Sequence, residues 1–189
     1  VCFYCVFLPS NNHFICENPT AAYGLGRPSC QESPHLFGGF AEYVYILPNT
    51  WIYKIPDDLS DEAAVLIDVF NVPRLERAQA PFPAGNEGFN TMDSVVILGS
   101  GPVGVATAIR AKILGAERVI MTGAPRRRLN IAREFGVDSI VNMEEVGDPK
   151  ERVKEVLNLT NGRGADLVVE AAGSPIAFRE GLEMTRPGG

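Results

Sequence analysis

The residues best suited to chemistry lie where an apolar run meets a turn. Val95-Val-Ile-Leu98 leads directly into Gly99-Ser100-Gly101-Pro102-Val103-Gly104, which has the spacing G-x-G-x-x-G. Each glycine answers a separate demand: Gly99 permits a tight turn, Gly101 lets a diphosphate approach the backbone, and Gly104 lets a helix pack against a sheet. The helix opened by Pro102 and Val103 would offer free N–H groups and partial positive charge to the phosphates. The motif alone is weak evidence, but here a strand precedes it and a helix follows it, as a dinucleotide site requires.

About twenty residues on, an NAD site places an acid to bind the ribose 2′-hydroxyl. The run Val119-Ile-Met-Thr122 delivers Gly123 there instead, and Arg126, Arg127 and Arg128 follow within one turn. A carboxylate would repel a 2′-phosphate, whereas guanidinium groups pair with one, so NADP is expected ahead of NAD. The competing reading of the arginines is a solvated helix start.

The second chemical group is thiol. Cys2-Phe-Tyr-Cys5 and then Cys16 supply three thiolates, and structural zinc wants four ligands in a tetrahedron. C-x-x-C is the tight knuckle that brings two sulfurs to one metal, and a fourth cysteine upstream of Val1 is the simplest completion. Three unrelated cysteines are the alternative, since one C-x-x-C is common. Cys30 reads as a buried or free thiol. His13 and His35 sit in loop sequence without a partner and are expected at the surface.

The elements that must position these groups differ along the chain. Residues 1–34 are rich in Cys, Asn, Pro and Gly and read as a looped lobe. Phe40–Ile46 and Trp51–Lys54 are dense in aromatic and β-branched residues and predict short strands. Asp57 to Ala78 has helical spacing that Pro73 must interrupt. Ala80 to Gly88 reads as a linker-like loop.

From Ser94 the rhythm becomes regular. Strands are predicted at 94–98, 118–122, 139–142 and 166–171, and helices at 103–114 and 126–135, the latter two closed by Gly115 and Gly136. Asp148, Pro149 and Glu151 are concordant start signals for a further helix, and Ser174-Pro175 opens another. Alternation at this pace implies an α/β fold, a Rossmann-type doubly wound parallel sheet with right-handed crossovers.

Composition narrows the classes. A 46% apolar chain of 189 residues can bury a core, and a formal charge of −6 without a basic tract argues against nucleic acid or anionic lipid. No apolar run is long enough to span a bilayer. The opening Val1-Cys-Phe-Tyr-Cys has no signal-peptide pattern, so a cytoplasmic protein is expected.

The cysteine knuckle, Gly38-Gly-Phe-Ala-Glu-Tyr-Val44 and the glycine turn occur in an order that resembles the zinc-dependent medium-chain dehydrogenases, which include alcohol, sorbitol and threonine dehydrogenases. Gly162-Arg-Gly-Ala-Asp166, Glu170-Ala-Ala-Gly173 and Arg186-Pro-Gly-Gly189 extend the resemblance over essentially the whole chain.

The resemblance implies part of a GroES-like β-rich catalytic domain with a structural-zinc lobe over 1–78, a linker or insertion over 79–93, and part of the dinucleotide-binding domain over 94–189. It implies Cys2, Cys5 and Cys16 as the second, third and fourth zinc ligands, although the interval from Cys5 to Cys16 is long. An alternative register makes Cys2 the first ligand and leaves Leu8 where the third belongs. Ala172 and Gly173 would join the coenzyme site.

The catalytic-zinc Cys and His-Glu pair of such enzymes are missing here, and Asp68 stands closest to their remaining ligand position. The chain therefore reads as a piece truncated at both ends, with little or no turnover by itself. The intact protein would pass hydride between an alcohol or polyol and NADP or NAD, with zinc, as a homo-oligomer. The rivals are a metal-free NADPH-binding protein of the quinone-reductase-like branch and a methyltransferase using the same turn.

Overall fold

The computed structural model describes residues 31, 33, 35–36, 38–46, 52–73 and 89–189. By compactness the chain divides into Val1–Asp57 and Asp58–Gly189.

In the first unit, residues 40–46 form bends and irregular backbone rather than the expected strand, and 52–54 are likewise irregular. Aromatic and β-branched composition favours a pleated, half-buried surface, and a strand exists only with a ladder partner. A backbone bond runs here from the Tyr45 N–H to the Leu36 carbonyl at 2.7 Å. Phe40 and Tyr43 are exposed. Their apolar side chains thus lack the burial that would fix a register. Lys54 and Asp57 form an exposed ion pair of 2.8 Å.

The second unit opens with two short helices, α1 (Asp61–Ala64) and α2 (Ile67–Asn71). Ser60 caps α1 by accepting from the Ala63 N–H, and α2 stops two residues before Pro73, which cannot donate and restricts its predecessor.

The remainder alternates strand and helix as expected: β1 (Ser94–Leu98), α3 (Pro102–Ile113), β2 (Arg118–Gly123), α4 (Arg126–Glu134), β3 (Ser139–Asn142), α5 (Pro149–Leu159), β4 (Leu167–Glu170) and α6 (Pro175–Met184). All pairings are parallel, in the order β3-β2-β1-β4. The chain builds β1, β2 and β3 outward in one direction, then crosses back to lay β4 on the other side of β1. This reversal is the topological switch point, and the crevice beyond the strand ends there is where such sheets take ligands.

Successive β1 side chains point to opposite faces. Val95 and Ile97 pack with Val119, Met121, Ala108 of α3 and Leu129 of α4. Val96 and Leu98 pack with Ile120, Val141, Val156 of α5 and Met184 of α6. Burial on both faces explains why β1 and β2 read as continuous apolar runs.

The helix ends follow local chemistry. Gly115 ends α3 in the left-handed region at φ +90°, and the Asp148 side chain accepts from the Lys150 N–H to cap α5, with Pro149 in its first turn. No helix among the described residues is long and apolar enough to cross a membrane.

Candidate functional site

The glycine turn sits at the switch point, and its glycines face different neighbours. Gly99 has φ +119°, and a Cβ there would lie 2.8 Å from the Ala171 carbonyl group and 2.9 Å from the Ala172 nitrogen. The loops that follow β1 and β4 therefore touch through this residue. A Cβ on Gly104 would run into the Gly99 carbonyl oxygen, so α3 starts in close contact with the turn.

Gly101 is different: a Cβ there meets nothing within 4 Å. It is the N-cap of α3 and has no side-chain cap, so the first-turn amides of Val103 and Gly104 have no partner within the helix. An open backbone surface backed by unsatisfied N–H groups is a cradle for an anion.

Ser100 is buried and its hydroxyl donates to the Ala124 carbonyl at 2.9 Å. This ties the turn to the end of β2. A Cβ on Gly123 would lie 2.7–2.9 Å from the Ser100 Oγ, Cβ and backbone nitrogen. Any side chain at 123 would therefore press on Ser100 where it stands.

The arginine trio divides. Arg126 pairs with Glu145 through Nε at 2.7 Å and through Nη2, and its backbone N–H donates to the Glu144 carboxylate at 3.3 Å. Hydrogen bonds from Arg126 and then Asn142 hold the Glu145 carboxyl below the usual carboxylate range. Arg128 borders a cavity of about 400 Å³ that also touches Ser100, Gly101, Pro102, Val105 and Phe135. Arg127 is exposed on the first turn of α4.

Ala172 reaches the turn through Gly99, whereas Gly173 lies open to solvent. The amides of both donate to Glu170 Oε1, at 2.7 and 2.8 Å. This carboxylate holds the lip of β4 and occupies N–H groups that a ligand could otherwise use.

Asp68 is exposed in the first turn of α2. Among the described residues no group of three or more His, Cys, Asp or Glu could hold a metal. Asp68 has no companion ligand among those described residues. Cys2, Cys5, Cys16, Cys30 and His13 lie outside the described residues; His35 is exposed.

A second hollow, of about 270 Å³, opens on the α5 and α6 side of the strand ends, touching Leu98, Gly99, Thr122, Met143 and Ala172. Arg152 and Glu180 also line it. Neither belongs to a motif. Their 28-residue separation carries no sequence signal, because only the β3–α5–β4–α6 crossover brings them together.

Residues 102–189 match the family described as zinc-binding dehydrogenase. The chain is 32% identical over 157 residues to sorbitol dehydrogenase of Bacillus subtilis, covering 83% of this chain and 41% of that protein. It is 32% identical over all 189 residues to L-threonine 3-dehydrogenase of Pseudoalteromonas atlantica, covering 48% of that protein. The crystal structure of an alcohol dehydrogenase from Thermotoga maritima superposes with a TM-score of 0.78 at 32% identity, covering all of this chain and 50% of that one. The chain thus spans about half the length of the relatives it matches. Residues 102–189 are thus a zinc-binding dehydrogenase domain, and over its full extent the chain is similar to zinc-type alcohol and threonine dehydrogenases.

Proposed function

We propose that Asp58–Gly189 binds the diphosphate of NADP on the glycine turn, and that the whole protein transfers hydride between an alcohol or polyol carbon and the nicotinamide ring. The observation that carries this reading is the open face of Gly101 above the unpartnered amides of α3, at the sheet's switch point. In it, Gly99, Ser100, Gly101, Pro102, Val103 and Gly104 hold the diphosphate, while Gly123, Arg127 and Arg128 receive the adenosine ribose and its 2′-phosphate. Ala172 and Gly173 form the far lip. NAD is the weaker ligand, because the place for a ribose-binding carboxylate is closed by Ser100 and the Arg127 and Arg128 guanidiniums pair with no carboxylate among the described residues.

The coenzyme supplies the redox chemistry; this chain's residues bind it, orient it and choose between its two forms. Glu144 holds the Arg126 amide, so an arriving 2′-phosphate either displaces that carboxylate or sits further along, toward Arg127 and Arg128.

Zinc enters from the family. The reading keeps Cys2, Cys5 and Cys16 as ligands of a structural zinc, within a partial catalytic domain over 1–78, and assigns no step to a metal on Asp68. We further propose a cytoplasmic homo-oligomer for the whole protein.

Titration of the chain with NADPH and NADH tests the coenzyme assignment. Wild type should bind NADPH more tightly. Arg127→Ala/Arg128→Ala should weaken NADPH by roughly 10- to 100-fold and leave NADH unchanged, since a charge-assisted hydrogen bond contributes about 1.5–3 kcal/mol. Equal or tighter NADH binding by wild type overturns the preference for NADP. No binding of either overturns the dinucleotide site.

A further inference from the structure

Arg152 and Glu180 are 3% and 5% exposed, the charged pair most deeply buried among the described residues. Arg152 Nε donates to Glu180 Oε2 at 3.0 Å and Nη2 to Oε1 at 2.5 Å. Arg152 Nη1 donates to the carbonyls of Val146 at 2.9 Å and Gly147 at 2.7 Å. One guanidinium thus joins α5, α6 and the loop after β3.

A buried ion pair is a poor choice for stability alone. Desolvating both charges costs several kcal/mol, and apolar residues of similar volume often serve as well or better. What a guanidinium offers in exchange is a flat, rigid fork that fixes its partners' directions, which a lysine ammonium does not.

The pair lies on the lining of the 270 Å³ hollow at the strand ends. One wall of that hollow is the loop tied by Nη1, with Met143, Gly147 and Pro149. The opposite wall is the start of α6, tied through Glu180, with Ser174, Ile176 and Ala177. Between them the floor is Leu98 and Thr122. The hollow thus lies between two loops, with mostly apolar walls, and the Arg152–Glu180 bridge joins the two sides. Apolar walls on two sides suit the two faces of an aromatic ring. The adenosine ribose at the tip of β2 would direct the purine toward these strand ends.

We infer that the Arg152–Glu180 pair is a positioning element that fixes the width of the slot receiving the purine of the coenzyme. This rests on the dinucleotide reading above.

The test compares wild type with Arg152→Leu/Glu180→Leu and Arg152→Lys, titrating each with AMP and NADPH and recording thermal unfolding alongside. The double apolar variant should unfold near the wild-type temperature yet bind both ligands at least tenfold more weakly. Arg152→Lys keeps the charge but not the fork, and should also lose at least tenfold in AMP affinity. If the double variant does not fold, the Lys variant decides. Wild-type affinity in a folded variant of either kind overturns the inference. Wild type that binds NADPH but is neither bound nor competed by AMP overturns the purine slot while sparing the glycine turn. Wild type that binds neither defeats the dinucleotide reading itself.

Discussion

Two glycines three residues apart have opposite surroundings, and the difference separates binding from folding. A methyl group on Gly101 projects into open space, so Gly101→Ala should cost only the change of N-cap residue, about 1 kcal/mol or less. It stands where a diphosphate must approach, however, and NADPH affinity should fall sharply. A methyl on Gly104 meets the Gly99 carbonyl, so Gly104→Ala should destabilise the unit by about 1–3 kcal/mol or more, the usual range for overpacking. Calorimetry and titration on both variants check this; parallel loss of stability in the two would show that Gly101 is structural. At this scale the turn was legible because its demands are local. The closure of position 123 by Ser100 was not, since 23 residues separate them and only the parallel pairing of β1 with β2 brings them together.

The entry to the central sheet is organised by one carboxylate. Asp166, just before β4, accepts from the Ser94 backbone N–H at 2.8 Å and from its hydroxyl at 2.7 Å. It also accepts from Arg186 Nε at 2.6 Å. Burial alone would raise its pKa, but the Ser94 and Arg186 contacts outweigh burial and hold the carboxyl below its ordinary range. A depressed folded-state pKa stabilises the fold above the unfolded value of about 3.9, and that contribution is lost as pH falls through the folded value. Asp166→Asn should therefore be less stable than wild type at pH 7, and the gap should close below about pH 4. A gap constant with pH, followed by denaturant unfolding, would remove Asp166 from this role. The strands and helices from 94 onward were readable because each carries its own period and its own caps. Residues 40–46 share that composition but lack a ladder partner among the described residues. The sequence shows a preference for strand there, and pairing, which decides the outcome, is not written locally. The Arg152–Glu180 bridge was invisible for the same reason: it depends on which elements the topology makes neighbours.

Across the whole molecule, the second unit's glycine turn and the thiols of the first belong to separate stretches of sequence, and no residue of the turn is a metal donor. Removing metal with a chelator should leave NADPH affinity within about twofold of its starting value, while metal content measured on the same sample reports on Cys2, Cys5 and Cys16. A large loss of NADPH affinity would tie a metal to the nucleotide-binding unit. The carboxylate of Glu170, folded back onto the amides of Ala172 and Gly173, makes the mouth of the crevice asymmetric. One bank is negatively charged with its donors engaged, and the other is the bare beginning of α3. A polyanion drifting in would be turned away from the first bank and would berth on the second. On the proposed function, charge would thus bias the coenzyme's orientation before any specific contact forms.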